Sequence, residues 1–156
     1  MPLALFMQIT QLQNLEDLTV SGCALSASEN KIEYRINHKM KSISFQSRSY
    51  NSESISIFMQ SLKRMPNLSK LNVSDNSLKD AGAKALAGSL KHVPNLSELH
   101  LSRTRMKEKG AKALARCLYL VPRLSKLDVS GNDSTSDAAI VMLKVSIMCQ
   151  SSLSLI

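Results

Sequence analysis

Residues 68 to 95 read LSKLNVSDNSLKDAGAKALAGSLKHVPN, and residues 96 to 123 repeat them as LSELHLSRTRMKEKGAKALARCLYLVPR, with half of the aligned positions identical. A tandem copy constrains a chain more than any bulk property, because each unit must take the same local shape and bury its apolar face against its neighbours. The offset of 28 carries on in both directions. Backward, Leu71, Val73, Leu78, Leu86, Leu90 and Val93 map onto Ile43, Phe45, Tyr50, Phe58, Leu62 and Met65. Forward, LSKLDVSGN opens at Leu124, and a shorter unit begins at Leu15 with LEDLTVSGCAL. The chain therefore divides into units 15–39, 40–67, 68–95, 96–123 and 124–152 within one domain spanning 1–156. Residues 1–14 are expected to be the closing helix of a unit whose start is missing, and 153–156 the start of a truncated next strand.

Each unit splits into two periodicities. In LSKLNVS the alternation points Leu71 and Val73 inward and Lys70, Asn72 and Ser74 outward, as in a half-buried strand. In DAGAKALAGSL the spacing of Ala83, Leu86, Ala87 and Leu90 marks one face of a helix that ends near Pro94. Parallel strands stack about 4.8 Å apart and helices roughly 8 to 10 Å, so a stack of such units curves with its strands inside. The expected class is α/β: a curved solenoid with parallel strands on the concave face and helices on the convex face. Small residues at Gly82, Ala83, Gly110 and Ala111 are expected to let helix and strand layers approach. Asn76 and Asn132 are suited to bridge turn backbone between units, with Cys23 and Thr104 as partial substitutes, whereas Arg48 predicts a distorted turn in the 40–67 unit.

The residues Leu68, Leu71, Val73, Asn76 and Leu78, and again Leu15, Leu18, Val20, Cys23 and Leu25, follow the form L-x-x-L-x-L-x-x-N/C-x-L of leucine-rich repeats. With DAGAKALAGSL and EKGAKALARCL as second halves, the unit resembles the ribonuclease-inhibitor-like class. More narrowly, LSKLDVSGN, GAKALARCLYLVPRLSKL and DAAIVML resemble the C-terminal arrays of NACHT leucine-rich-repeat receptors, the NLR family of intracellular immune sensors. That resemblance implies a non-catalytic sensing module in the cytoplasm, with a protein partner or pathogen-derived ligand on the concave face. Two rivals share the repeat: a general binding or inhibitor scaffold of the ribonuclease-inhibitor kind, and a Ran-directed GTPase-activating protein. The first is usually acidic and rich in Cys, unlike this chain; the second carries an acidic tail that is absent here.

Three widely spaced cysteines without a CxxC argue against a disulfide framework and a zinc site, so no metal or other cofactor is expected. No apolar run reaches the roughly 18 residues needed to span a bilayer, and the opening MPLALFMQITQLQ lacks the basic region of a signal peptide. Aligned strands expose one column of Asp17, Ser42, Lys70, Glu98 and Lys126 and another of Thr19, Ser44, Asn72, His100 and Asp128. The candidate partner-binding residues are Lys70, Asn72, Glu98, His100, Lys126 and Asp128, with Lys70, His100, Lys126 and Asp128 expected to be free of structural duty. A Ser, a His and an Asp can be drawn together there, but a flat ladder offers no oxyanion hole, which argues against an enzyme.

The net charge of +8 falls mostly on the helical side. Lys84, Lys91, Lys112 and Arg116 form a candidate convex basic stripe, opposed locally by Asp80 and Glu108. No aromatic residues interleave with these cations to stack bases, which argues against nucleic acid as the partner. The ends, LALFMQITQL and AAIVMLKVSIMC, lack a polar outer face, so self-association through them is expected, with the last unit least stable because Ser134 replaces an apolar anchor. No G-x-x-x-x-G-K-[ST] occurs. Calorimetric titration with ATP and magnesium is therefore expected to give no heat beyond dilution, and a stoichiometric micromolar isotherm would contradict the assignment.

Overall fold

The computed structural model describes residues 12–21, 37–46, 52–133 and 154–155. Among these, six strands form one parallel sheet in chain order: β1 (Asp17–Ser21), β2 (Ser42–Gln46), β3 (Lys70–Asn72), β4 (Glu98–His100), β5 (Lys126–Asp128) and β6 (Ser154–Leu155). Helices α1 (Ser52–Ser61), α2 (Lys79–Ser89) and α3 (Glu108–Ala115) follow β2, β3 and β4. The α2 helix packs against α1 on one side and α3 on the other, so strands and helices form two layers of one curved solenoid.

Leu71, Leu99 and Leu127 stand opposite one another in the register and are fully buried, as are Ile43 and Phe45. From the helical side come Phe58, Leu86 and Leu114, three equivalent positions that close the core. In the 40–67 unit one strand position and one helix position are aromatic, and the Phe45 and Phe58 rings stack with centroids 5.4 Å apart. The periodicity places each helix end later than the structure does. After α1, α2 and α3 the chain tightens into 3-10 turns at Leu62–Arg64, Leu90–His92 and Leu118–Leu120, which bury Leu62, Leu90 and Leu118. Met65, Val93 and Val121 then leave helical geometry, as residues before a proline must.

The units are joined at both ends of their strands. Before β2, β3, β4 and β5 one carbonyl of the preceding unit receives two successive backbone N–H groups. The carbonyl of Ser69, for example, accepts from Ser97 at 2.8 Å and Glu98 at 3.0 Å. Hydroxyls of Ser69, Ser97 and Ser125 add a third donor to the carbonyls of Lys41, Ser69 and Ser97, at 3.0, 3.0 and 3.1 Å. Past the strands, Asn76 donates to the carbonyls of Phe45, Val73 and Ser74 at 2.7, 2.8 and 3.0 Å. Asn132 donates back to Leu101 at 2.8 Å and accepts from the N–H groups of Thr104 and Met106, both at 3.0 Å. Thr104 is the partial substitute expected, since its hydroxyl bonds lie with Leu101 of its own unit and with Asn132.

Several expectations need correction. Ser74 is buried rather than outward, because its hydroxyl oxygen accepts the N–H of Ser102 in the next unit at 3.2 Å. The small residues admit helices to each other more than helices to strands. A Cβ on Gly110 would lie 2.7 Å from Asp80 Oδ1 and 3.0 Å from Ala83 Cβ, both in the preceding unit. That closeness has a use. Asp80 Oδ1 accepts the N–H groups of Lys107 at 2.9 Å and Gly110 at 2.8 Å, capping α3 from outside its own unit. Residues 12–14, placed in an expected helix, lead into a turn in which the Leu15 N–H bonds the Leu12 carbonyl at 2.9 Å. The expectations for residues 1–11, Cys23, Arg48, Ser134 and the terminal segment 138–150 lie outside the described residues.

Asn76 is 2% exposed, so its loss leaves buried carbonyls without donors. Asn76→Ala should cost roughly 2–4 kcal/mol in urea denaturation, as buried unmet polar groups do. Asn67→Ala, which removes an exposed bond to the His38 carbonyl, should cost less than about 1 kcal/mol. Equal costs would show that the Asn76 bonds do not hold the turn.

Candidate partner-binding surfaces

The strand register gathers the concave candidates into the columns expected: Lys70, Glu98 and Lys126 stand side by side, as do Asn72, His100 and Asp128. Within this grid Lys70 Nζ pairs with Glu98 Oε1 at 2.9 Å. His100 lies between two carboxylates, Nε2 at 3.5 Å from Glu98 Oε2 and Nδ1 at 3.9 Å from Asp128 Oδ2. Asp128 Oδ1 accepts the N–H and hydroxyl of Ser130 at 3.0 and 2.7 Å, and Asn72 Oδ1 accepts the Ser74 N–H at 3.0 Å.

Of Lys70, His100, Lys126 and Asp128, expected to be free of structural duty, Asp128 shapes a turn, and Lys70 and His100 are engaged by neighbouring side chains. Asn72 and Asp128 shape the turns that follow their strands, and Lys70 is committed to Glu98. The Lys126 ammonium forms no ion pair within 4 Å among the described residues, though its charge helps keep Glu98 ionised. A hydrolytic triad is not built here. A nucleophile would have to face His100 Nε2, which instead meets a second carboxylate.

Both carboxylates are held below their ordinary range. For Glu98 the hydrogen bond from Lys70 is the main cause; burial opposes it, and His100 and Lys126 add to it. For Asp128 the largest single influence is burial, which raises the pKa, but the Ser130 bonds, the His100 charge and Ser102 together outweigh it.

On the convex face Lys84, Lys91 and Arg116 are exposed, whereas Lys112 is partly covered and paired with Glu108 one helical turn earlier. The stripe is therefore interrupted at Lys112, and Asp80 is withdrawn from it to cap α3.

A third surface lies where the strands run out into turns. Asp75, Arg103 and Gly131 occupy equivalent positions, and all three have positive φ, at 59°, 51° and 64°. Glycine takes this conformation freely, whereas side chains pay about 1 kcal/mol for it. Lys79 and Arg105 are also left-handed, at 54° and 58°. The Arg103 guanidinium grips Asp75 with Nε to Oδ1 at 2.6 Å and a second bond at 2.9 Å, and it runs across the face of Gly131, where a Cβ would lie 2.8 Å from its Cγ. Two adjoining cavities open here. One of about 270 Å³ is lined by Asp75, Ser77, Arg103, Arg105 and Asp133; the other, of about 430 Å³, by Lys79, Asp80, Arg105, Lys107 and Asp133. Nothing in the repeat pattern groups these cations. The available signal was Gly131, which marks a left-handed position that Arg103 also occupies.

Among the described residues no group of three or more His, Cys, Asp or Glu side chains is placed to hold a metal, and no helix is long and apolar enough to cross a membrane.

The fold is that of a leucine-rich-repeat array, which presents a rigid polar face along its strands. A family model described as "Leucine Rich repeat" matches residues 64–87 and 92–115. Comparison with curated proteins finds no match. Among solved structures, the tropomodulin C-terminal domain of Caenorhabditis elegans superposes with a TM-score of 0.68 at 10% identity, over 98% of this chain and 80% of that one. The actin-binding site 2 of leiomodin-1 superposes with a TM-score of 0.64 at 18% identity, over 76% of this chain and 70% of that one. At such identities the likeness is one of fold.

Because Glu98 and Asp128 have depressed pKa values, their contribution to stability is complete above the unfolded carboxylate range, near about pH 4, and is lost as pH falls through the lower native values. Urea midpoints measured from pH 5 to pH 2.5 should fall less steeply for the Glu98→Gln/Asp128→Asn variant than for the natural sequence. Parallel curves would show that the concave network does not favour the ionised forms.

Proposed function

We propose that the chain is a non-catalytic protein-binding scaffold whose partner lies along the concave strands. The observation that supports this most is the grid itself: Lys70, Glu98, His100 and Asp128 form a connected polar array across three strands, with Lys126 beside it forming no ion pair among the described residues. Backbone register holds the array in place, so little ordering is needed on binding, which is where rigid repeat surfaces gain affinity. Within this reading the chain serves as the sensing module of an NLR-like receptor inside the cell, engaging a protein partner or a pathogen-derived ligand. The resemblance of its repeat units to those receptors supports that finer role. Actin binding is the second reading, favoured by the shared fold with the actin-binding site 2 of leiomodin-1.

A photo-crosslinking residue placed at Asn72 or Lys126 should capture the same discrete polypeptide from cell extract, and Lys70→Glu/Lys126→Glu should reduce that capture at least tenfold. Thermal midpoints should barely change, since exposed charges add little to stability. Capture from Lys84 or Arg116 but not from the strands would move the partner to the convex face and overturn the assignment. Co-sedimentation with filamentous actin separates the two readings: saturable pelleting selects actin, and its absence removes it.

A further inference from the structure

The cavities at the strand ends hold charge that neither the fold nor the concave grid uses. Four cations line them, Lys79, Arg103, Arg105 and Lys107, together with the carboxylates Asp75, Asp80 and Asp133. Two of those carboxylates already have work: Asp75 holds Arg103, and Asp80 caps α3. No ion pair engages Lys79, Arg105 or Lys107 among the described residues, and these three cations exceed by one charge the two carboxylates that no cation neutralises, Asp133 and the capping Asp80. Arg105 and Asp133 line both cavities, which makes Arg105 the centre of one continuous groove.

The backbone supplies a second, independent observation. Lys79 and Arg105 sit at φ values of 54° and 58°, where glycine or asparagine would be at ease. Side chains kept in strained conformations cluster at sites of use. Here the strained residues are Asp75, Lys79, Arg103 and Arg105, all of which line the groove, so three of its four cations stand on such backbone.

We propose that this edge is a docking groove for an acidic peptide segment of the bound protein, with Arg105 taking a carboxylate bidentately and Lys79 and Lys107 flanking it. The inference rests on the protein-binding reading above and adds to it a second contact outside the strands. A guanidinium fork matches a planar carboxylate, and the ammonium groups add charge without demanding geometry. Nucleic acid fits less well, because no aromatic side chain lines either cavity to receive a base. The groove adjoins the concave face directly, since Arg103 and Arg105 follow β4 within a few residues. A partner seated on the strands can thus run an acidic tail over the edge.

The test uses fluorescence anisotropy of the full chain with a fluorescein-labelled octaglutamate peptide and, in parallel, an eight-nucleotide thymidine oligonucleotide. Saturable peptide binding is expected at low salt, weakened at least tenfold by Lys79→Asn/Arg105→Asn. Asparagine tolerates the left-handed backbone, so the thermal midpoint of that variant should hold or rise. Lys84→Asn/Arg116→Asn removes the same charge from the convex face and should change affinity less than twofold. Equal losses in both variants, oligonucleotide binding as tight as peptide binding, or no peptide binding at all would overturn the proposal. Peptide binding that falls only with Lys70→Glu/Lys126→Glu would also overturn it while leaving the concave assignment intact.

Discussion

The fold depends on a shared carbonyl. At the start of each inner strand one backbone oxygen of the preceding unit collects two consecutive N–H groups and, at Lys41, Ser69 and Ser97, a serine hydroxyl as well. That junction fixes where the next strand begins, and with it which side chains turn inward. A slip of one residue would carry Leu71 or Leu99 to the solvent face, so the burial of these leucines and the bonding of the carbonyl enforce the same register. The asparagines at the other end of the strands act likewise. Asn76 and Asn132 each reach a carbonyl 31 residues earlier, so every inner strand is pinned at both ends.

From that register follows the electrostatic character of the concave face. Side chains that are far apart in the chain become neighbours at the strand spacing, and the alternation of Lys70, Glu98 and Lys126 lets a carboxylate sit between two cations. His100 then bridges the two columns by standing between Glu98 and Asp128. Such exposed pairs contribute little to stability. Their value lies in presenting charges in a defined pattern to whatever approaches.

Much of this was legible in the sequence. The 28-residue offset placed the strand columns correctly, because identical periodicity leaves parallel strands one way to align. The roles of Asn76 and Asn132 followed from side chains that both donate and accept. The burial of Ser74 did not follow, since alternation describes a single strand and cannot show that the next unit's N–H lands on the hydroxyl. Nor did the commitments of Asn72 and Asp128, which arise from turn geometry two residues on. The groove was hidden for a related reason: whether Arg103 and Arg105 adopt positive φ is decided by the turn as a whole, and the residue types alone argue against it.

The cap on α3 gives the array a polarity. Asp80 belongs to one unit and completes the first turn of the helix in the next, so that helix is finished only when the unit before it is in place. The coupling is reciprocal: loosening α2 strips α3 of its cap, and loosening α3 leaves the Asp80 carboxylate without two of its donors. Neighbouring units are therefore chemically unlike at this junction, one giving the acceptor and the other the donors, yet a disturbance in either is felt by both.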